Sequence, residues 1–460
     1  LKLASGMSPL RPWLAGKGVP IFVSSFILPW ARGHDLAASR AITVAFSLVT
    51  VVAVFALARR LYDRRTALTA ALFYIACPFA LFHDRLFLPD AVLSSFAALA
   101  LVASCDLARL GRARDGVLAG LALALGVLSK ANGALLLFIP AAAWLAFARP
   151  LRRSWWALAT AYSVAFLLVA WPLWVFVQRT DALRVAFTRG DASSLDRLGR
   201  NAALAGEWLW TWGTGPLCVL AVAGIAVALA RRHAASLFLA VVAAVPAAVL
   251  LPTATTWYPR YLHFVAVPTL VLAAHALVSL VDLARWTRPA FARTALLGAA
   301  TAVVLGPALA QDFHLWTDPR RARMPAVDRF QYVDGWPSGY GARETVALVK
   351  EERARHPEGL TIVVRSRAAP ATLMALSVAF RRDRGVRIED LPLDEPERAR
   401  PLLEAWARER PTVVVASLLE GASHPPTATW GNLGVERVAE THKPDGRPCD
   451  AVYRVTPRAP

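Results

Sequence analysis

The chain has 460 residues, 56% of them hydrophobic and only 18% charged, with a mean hydropathy of +0.44. A water-soluble protein of this length carries more charge and less apolar content, so the composition excludes a soluble enzyme and indicates a polytopic membrane protein. The net charge of +19 would suit nucleic acid, but the basic residues fall in short loops between apolar runs, and nucleic acid is excluded as a partner on that distribution.

In chain order, residues 1–16, LKLASGMSPLRPWLAG, contain no acid and open on Leu1, with the first Met at position 7. This predicts that an N-terminal segment is missing. Residues 19–31, VPIFVSSFILPWA, are too short to cross a bilayer and are expected to lie along its outer interface as a short helix. Ten apolar segments follow, at 40–58, 67–83, 90–108, 116–130, 132–148, 155–177, 211–230, 235–251, 262–284 and 293–310. Alternate connections carry Arg59, Arg60, Arg64 and Arg65; Arg109, Arg112 and Arg114; Arg149, Arg152 and Arg153; Arg231 and Arg232; and Arg285, Arg288 and Arg293. The positive-inside rule puts these short loops in the cytoplasm. The other face receives 84–89, the join near Lys130, the loop 178–210, residues 252–261 and everything after 310. Asp106 and Asp282 are expected to pair with Arg109 and Arg285, and His275 to hydrogen-bond a neighbouring helix. The four cysteines, at 77, 105, 218 and 449, form neither a disulfide framework nor a zinc spacing.

After Gln311 the composition turns to Arg, Asp, Glu and Pro. DRFQYVDGWPSGYG (328–341) reads as an irregular connector. Beyond it, helical ARETVALVKEERAR, ATLMALSVAFRR and ERARPLLEAWARER alternate with the strands LTIVVRS, VRIEDLPL and TVVVASLL. The alternation predicts a small α/β domain with a largely parallel sheet. No glycine-rich phosphate fingerprint follows its strands, and it is assigned no catalysis. The predicted organisation is therefore 1–39 as the rest of an outer loop with its interfacial helix, 40–310 as the transmembrane domain, and 311–460 as connector and extracytoplasmic α/β domain.

The stretch HDRLFLPD (83–90) sets His83, Asp84, Arg85 and Asp90 at the mouth of a span. An Asp after Pro is a common helix start, so Asp90 alone reads equally as a cap. Lys17, Lys130 and Arg260 also stand at outer ends of apolar segments, where a single cation is usually a headgroup anchor. Together these residues describe an outward rim of cations and carboxylates above an apolar body. Transfer of a group from a lipid phosphate needs that combination. The lipid tail stays in the bilayer, cations stabilise the leaving phosphate, and a carboxylate takes a proton from the incoming hydroxyl. Tyr258, Tyr261, His83 and Trp208 are the further substrate-side candidates. The tryptophans at 208, 210 and 212 read either as sugar-stacking platforms or as an interfacial belt.

Four places carry a family resemblance: GKGVPIF (16–22); ASRAITVAFSLVTVVAVFALARRLYDRRTALTAALFYIACPF (38–79); RLFLPD (85–90); and GVLSKANG (126–133) with PRYLHFVAVP (259–268). Over about residues 10–310 the chain resembles the polyprenyl-phosphate-sugar-dependent glycosyltransferases of the C-type membrane fold, particularly protein mannosyltransferase and lipid A aminoarabinose transferase relatives. The resemblance implies a polytopic α-helical enzyme of the cytoplasmic (inner) membrane. It would move a monosaccharide, with inversion, from a polyprenyl-phosphate donor to an unknown extracytoplasmic acceptor. Asp90 and Asp84 would be catalytic, and Lys17, Arg85, Lys130 and Arg260 would meet the donor phosphate. No cofactor is required by the sequence, and a divalent metal is left open. The high Ala and Arg content suggests a bacterial source and so a periplasmic or extracellular C-terminal domain. Two departures stand out. The family's principal Asp would fall just before Leu1, and Gly18 and Val19 occupy positions that are often Pro-Pro. A flippase of lipid-linked sugar, or a non-catalytic scaffold on the same fold, are the rival readings. A flippase would place ionisable residues near the bilayer midplane.

Overall fold

The computed structural model describes residues 17–457 apart from 32–33, 149–153, 180–192, 284–289, 336–337, 365–369, 394, 419–423, 426 and 444–445. The chain divides into two compact units, a helical one ending at Pro325 and a second one from Ala326 onward. The compositional change at 311 falls inside the last long helix, Ala290–Thr317.

The helical unit opens with α1 (Gly18–Ile27), whose Phe22, Phe26 and Ile27 are exposed, as an interfacial helix requires. Six stretches are long and apolar enough to cross a bilayer: α2 (Asp35–Leu61), α5 (Pro89–Leu110), α8 (Trp155–Arg179), α11 (Ala234–Thr253), α13 (Ala290–Thr317), and the run Pro259–Leu283 that ends in α12 (Ala266–Leu283). The other four expected spans are short or broken. α3 (Arg64–Ile75) and α4 (Pro78–Asp84) meet at 59°, because Pro78 has no N–H to continue the helix. α6 (Ala113–Ser129) stops at 17 residues. The fifth segment is a 3-10 helix, Ala131–Leu136, followed by α7 (Ile139–Phe147), and α10 (Pro216–Arg231) has 16 residues. Among the described residues six helices, or seven with the bent pair counted as one, are long and apolar enough to cross a membrane, beside the ten spans expected. The helix α9 (Ser194–Trp212) occupies the second half of the loop expected at 178–210.

A bilayer offers no hydrophobic force between helices, since lipid is as apolar as leucine, so close approach of small residues must hold the bundle together. α6 and α8 show this directly. A Cβ on Gly116 would meet the Ala157 carbonyl oxygen at 2.3 Å, and one on Gly120 the Ala161 carbonyl at 2.5 Å. The outside of the bundle is apolar: Val52, Leu167, Leu229 and Val303 are exposed. Exposed tryptophans mark both ends of α8, Trp156 at one and Trp171 and Trp174 at the other. Eighteen residues of helix separate Trp156 from Trp174, about 27 Å at 1.5 Å per residue, close to one hydrocarbon thickness.

At the arginine-rich end, Asp106 bonds Arg60 Nε at 2.9 Å and Asp282 bonds Arg65 at 2.9 Å. The first replaces the expected pair of Asp106 with Arg109; the pair expected between Asp282 and Arg285 falls on a residue outside those described. Arg109 instead donates to the Arg60 carbonyl and covers the Phe147 ring. Both ion pairs are a quarter or more exposed and contribute little stability; they join helix ends that are distant in sequence. His275 stacks on Tyr62 at 3.9 Å where a hydrogen bond was expected.

In the second unit, β1 (Leu360–Val364), β2 (Val386–Asp390) and β3 (Thr412–Ser417) are parallel, linked through α15 (Pro370–Ala379) and α16 (Pro396–Glu409) and preceded by α14 (Ala342–Arg355). The antiparallel β4 (Leu433–His442) and β5 (Pro448–Pro457) complete a sheet of order β2-β1-β3-β5-β4. This hairpin was not anticipated. Asp450 at the start of β5 is fully buried; the Thr345 and Thr372 hydroxyls donate to its Oδ2 at 3.1 and 2.8 Å. Burial outweighs those bonds and pushes the carboxyl up to about 6 from its ordinary 3.8.

Two outcomes follow from this packing. Gly120→Val forces the α6–α8 backbones apart and should destabilise the helical unit by about 1–3 kcal/mol, read as a lower melting midpoint in detergent. For Asp450 the folded carboxyl holds its proton to higher pH than the unfolded one, so the second unit loses stability as pH rises from about 4 to about 6. Asp450→Asn should therefore raise the midpoint for proteolytic opening of residues 326–460 at pH 7.5, by roughly 2–3 kcal/mol at most, and leave it unchanged near pH 4.

Candidate active site

The site is built where α4 meets α5. Leu88 is the N-cap of α5, in extended conformation, and Pro89 takes the first helical position. Asp90 is in the first turn and is not the N-cap residue. Its Oδ1 instead accepts from Lys130 Nζ at 2.5 Å, with the two side chains 2% and 13% exposed. The capping reading of Asp90 is thereby replaced by an ion pair between α5 and the end of α6. Lys130 is held in place by a tight return of the chain. It is extended after the last turn of α6, and a Cβ on Gly133 would stand 2.3 Å from the Gly126 carbonyl oxygen, so only glycine fits.

Cations and tyrosines gather around this pair. The Lys130 ammonium lies 4.2 Å from the Tyr261 ring centre, and the Arg260 guanidinium is 4.5 Å from Tyr258 and 5.9 Å from Tyr261, distances suited to cation–π attraction. Lys17, exposed at the start of α1, and Arg260 both act electrostatically on Lys130. Lys17, Asp90, Lys130, Tyr258, Arg260 and Tyr261 are therefore brought together, as the sequence predicts.

Asp84 ends α4 and is linked to Asp90 through residues that sequence reasoning passed over. The buried Tyr74 hydroxyl donates to Asp84 Oδ2 at 3.2 Å. Oδ1 faces His263 Nε2 at 3.4 Å, outside hydrogen-bond geometry, and neither atom has a hydrogen bond among the described residues. The other ring nitrogen of His263 pairs with Ser94 Oγ at 2.8 Å and approaches the Asp90 carbonyl at 3.4 Å. Arg260 and His263 share the 3-10 helix Pro259–Val265, where residues three apart align. That spacing was the signal in PRYLHF that could have found His263.

Three candidates are placed elsewhere. Trp208 is 4% exposed and packs tilted against Trp257, ring centres 5.3 Å apart, so it belongs to the core. His83 is fully buried, donating from Nδ1 to the Phe79 carbonyl, with its ring between those of His263 and Trp212. It can support the site but does not face a substrate. Arg85 turns toward α13, donating to the Leu315 carbonyl at 3.1 Å, and its electrostatic neighbours are Arg40 and Asp312. Among the described residues no three His, Cys, Asp or Glu side chains converge as metal ligands. Residues 1–16 lie outside the described residues.

Residues 9–176 match the family described as dolichyl-phosphate-mannose-protein mannosyltransferase. Among solved structures, the chain is similar to ArnT from Cupriavidus metallidurans bound to undecaprenyl phosphate, with 16% identity, a TM-score of 0.57, and coverage of 90% of this chain and 84% of that one. The chain has the C-type membrane glycosyltransferase fold. The apo state of ArnT matches at 16% identity and TM-score 0.54, covering 91% and 83% of the two chains. Arabinofuranosyltransferase AftD from Mycobacteria shares the C-type fold at 18% identity and TM-score 0.50, over 92% of this chain but 34% of that longer one. No protein of curated function matches the sequence.

Because Asp90 and Lys130 are both buried, removing one partner leaves the other charge uncompensated, at a cost of about 3–5 kcal/mol. Lys130→Met should lower the melting midpoint more than the double variant Asp90→Asn/Lys130→Met does. A double variant less stable than the single one would exclude the ion pair.

Proposed function

We propose that the protein transfers a monosaccharide from a polyprenyl-phosphate donor to an acceptor on the extracytoplasmic side of the membrane, with inversion. The observation that carries this reading is the gathering of Lys17, Lys130 and Arg260 around buried Asp90 at the end of the bundle opposite its paired arginines. An anion at that end meets three cations and only one of the two carboxylates, so a lipid phosphate completes the charge balance while its chain remains among apolar helices. The bound ligand named for the ArnT structure, undecaprenyl phosphate, is of this class.

In the reaction, the acceptor hydroxyl oxygen forms a bond to the anomeric carbon from the face opposite the phosphate. The bond from that carbon to the phosphate oxygen breaks, and its electron pair leaves with the polyprenyl phosphate, where the cations stabilise it. The hydroxyl proton goes to a carboxylate. Asp90 is committed to Lys130 and 2% exposed, whereas Asp84 is 11% exposed and has an oxygen without a hydrogen bond. Asp84 is therefore assigned the proton and Asp90 the positioning of Lys130. Tyr258 and Tyr261 hold the cations in place and border the sugar. The protein sits in the inner membrane, with residues 326–460 on the extracytoplasmic side.

Charges confined to bundle ends, rather than at mid-depth, favour transfer over the flippase reading. The test is sugar release from a radiolabelled polyprenyl-phosphate sugar in membranes holding the full protein. Asp84→Asn and Asp90→Asn should each lower turnover at least 100-fold, and Arg260→Gln should act mainly on donor affinity. Translocation of the labelled lipid without release of sugar would identify a flippase, and unchanged turnover in both Asp variants would overturn the assignment.

A further inference from the structure

Apart from the cluster around Asp90, the helical unit holds a second concave site that the reaction above does not use. It is a cavity of about 590 Å3 between the end of α9 and the end of α13, with the segment that follows α13 at its mouth. Its volume lies within the range of about 300–1,000 Å3 usual for small-molecule sites.

The lining is chemically one-sided. Trp210, Pro307 and Ala310 give it apolar walls, and His314, Arg321 and Arg323 give it basic ones; none of its lining residues is acidic. Trp210 is 64% exposed, whereas Trp208 and Trp212 on the same helix are buried. An exposed indole beside basic groups offers an apolar sugar face a surface to stack on. Gln311 Nε2 donates to the Arg323 carbonyl at 2.8 Å, tying the main chain of this segment back to α13. The Asp318 carboxylate is shared by Arg320 at 3.2 Å and Arg321 at 3.5 Å. Two arginines on one carboxylate, with Arg323 in addition, leave the mouth positively charged.

The cavity neighbours α4 at Arg85 and His83, the two side chains that turn away from the Asp90 cluster. Leu315, next to His314, accepts from Arg85, and Trp212 packs on His83. We infer that this cavity binds a sugar bearing a phosphate group, its ring against Trp210 and its anion at Arg321 and Arg323. Resting on the glycosyltransferase reading, that sugar is part of the acceptor.

The test uses the full chain in phosphatidylcholine nanodiscs, titrated with glucose 1-phosphate by calorimetry. Methyl glucoside and glycerol 3-phosphate should each bind at least tenfold more weakly, since one lacks the anion and the other the ring. Arg321→Ala/Arg323→Ala should weaken glucose 1-phosphate at least tenfold and Trp210→Ala at least threefold, both leaving polyprenyl-phosphate binding within twofold of the wild type. These side chains are exposed, so their loss does not threaten folding. Equal binding of glycerol 3-phosphate would reassign the cavity to anionic lipid headgroups and overturn the inference. A probe that loses affinity in Arg260→Gln but not in the double arginine variant has bound at the donor site, and overturns it too. If polyprenyl phosphate fails to bind while glucose 1-phosphate keeps its dependence on the two arginines, the acceptor role falls with the glycosyltransferase reading, and the phosphosugar site stands.

Discussion

A carboxylate that leaves water must be met by a cation, and in this protein Asp90 is met by Lys130. Local features of several kinds serve that contact. Pro89 starts α5 so that Asp90 falls in its first turn, α6 stops before Lys130, and Gly133 lets the chain turn back so closely that no side chain could occupy its place. The neighbouring cations would repel one another if the carboxylate were absent. The pair therefore permits a concentration of positive charge at a depth where water is scarce, and it leaves Arg260 and Lys17 able to attract a second anion.

Below this end the bundle is held by closeness rather than by exclusion of water. Gly116 and Gly120 admit the backbone of α8, and Ala53, Ala58, Ala67, Ala70 and Ala97 fill much of the buried interior. Small residues make rigid contacts in lipid because dispersion and short Cα–H contacts grow as backbones approach. At the opposite end the pairs Arg60–Asp106 and Arg65–Asp282 tie together α2, α3, α5 and α12. Each pair is weak alone, but both stand at the end of the bundle opposite Asp90 and Lys130.

The two carboxylates differ in their surroundings more than in their sequence context. Asp90 is neutralised by a cation at contact distance, whereas Asp84 has a tyrosine hydroxyl and an imidazole misaligned at 3.4 Å. A group so incompletely satisfied is costly to bury. It is tolerated here at the border of the apolar core, where the Tyr74 hydroxyl meets one of its oxygens.

Sequence by itself determined the membrane class, the alternation of arginine loops, the α/β nature of residues beyond 326, and the grouping of Lys17, Asp90, Lys130, Tyr258, Arg260 and Tyr261. These follow from hydropathy, charge placement and the short-range patterning of each segment, all of which are local. The G-x-x-x-G spacing of Gly116 and Gly120 was also present to be read. Only the tertiary structure decided that Asp106 and Asp282 reach Arg60 and Arg65, that His263 bridges Asp84 and Ser94, and that β4 and β5 close the sheet. It also decided which tryptophan faces outward: alternate residues on a helix lie 200° apart, so Trp208 and Trp210 are equivalent in composition but opposite in exposure. Partners chosen across 46, 217 or 169 residues of chain depend on which helix faces which, and that is set by the packing of the whole bundle.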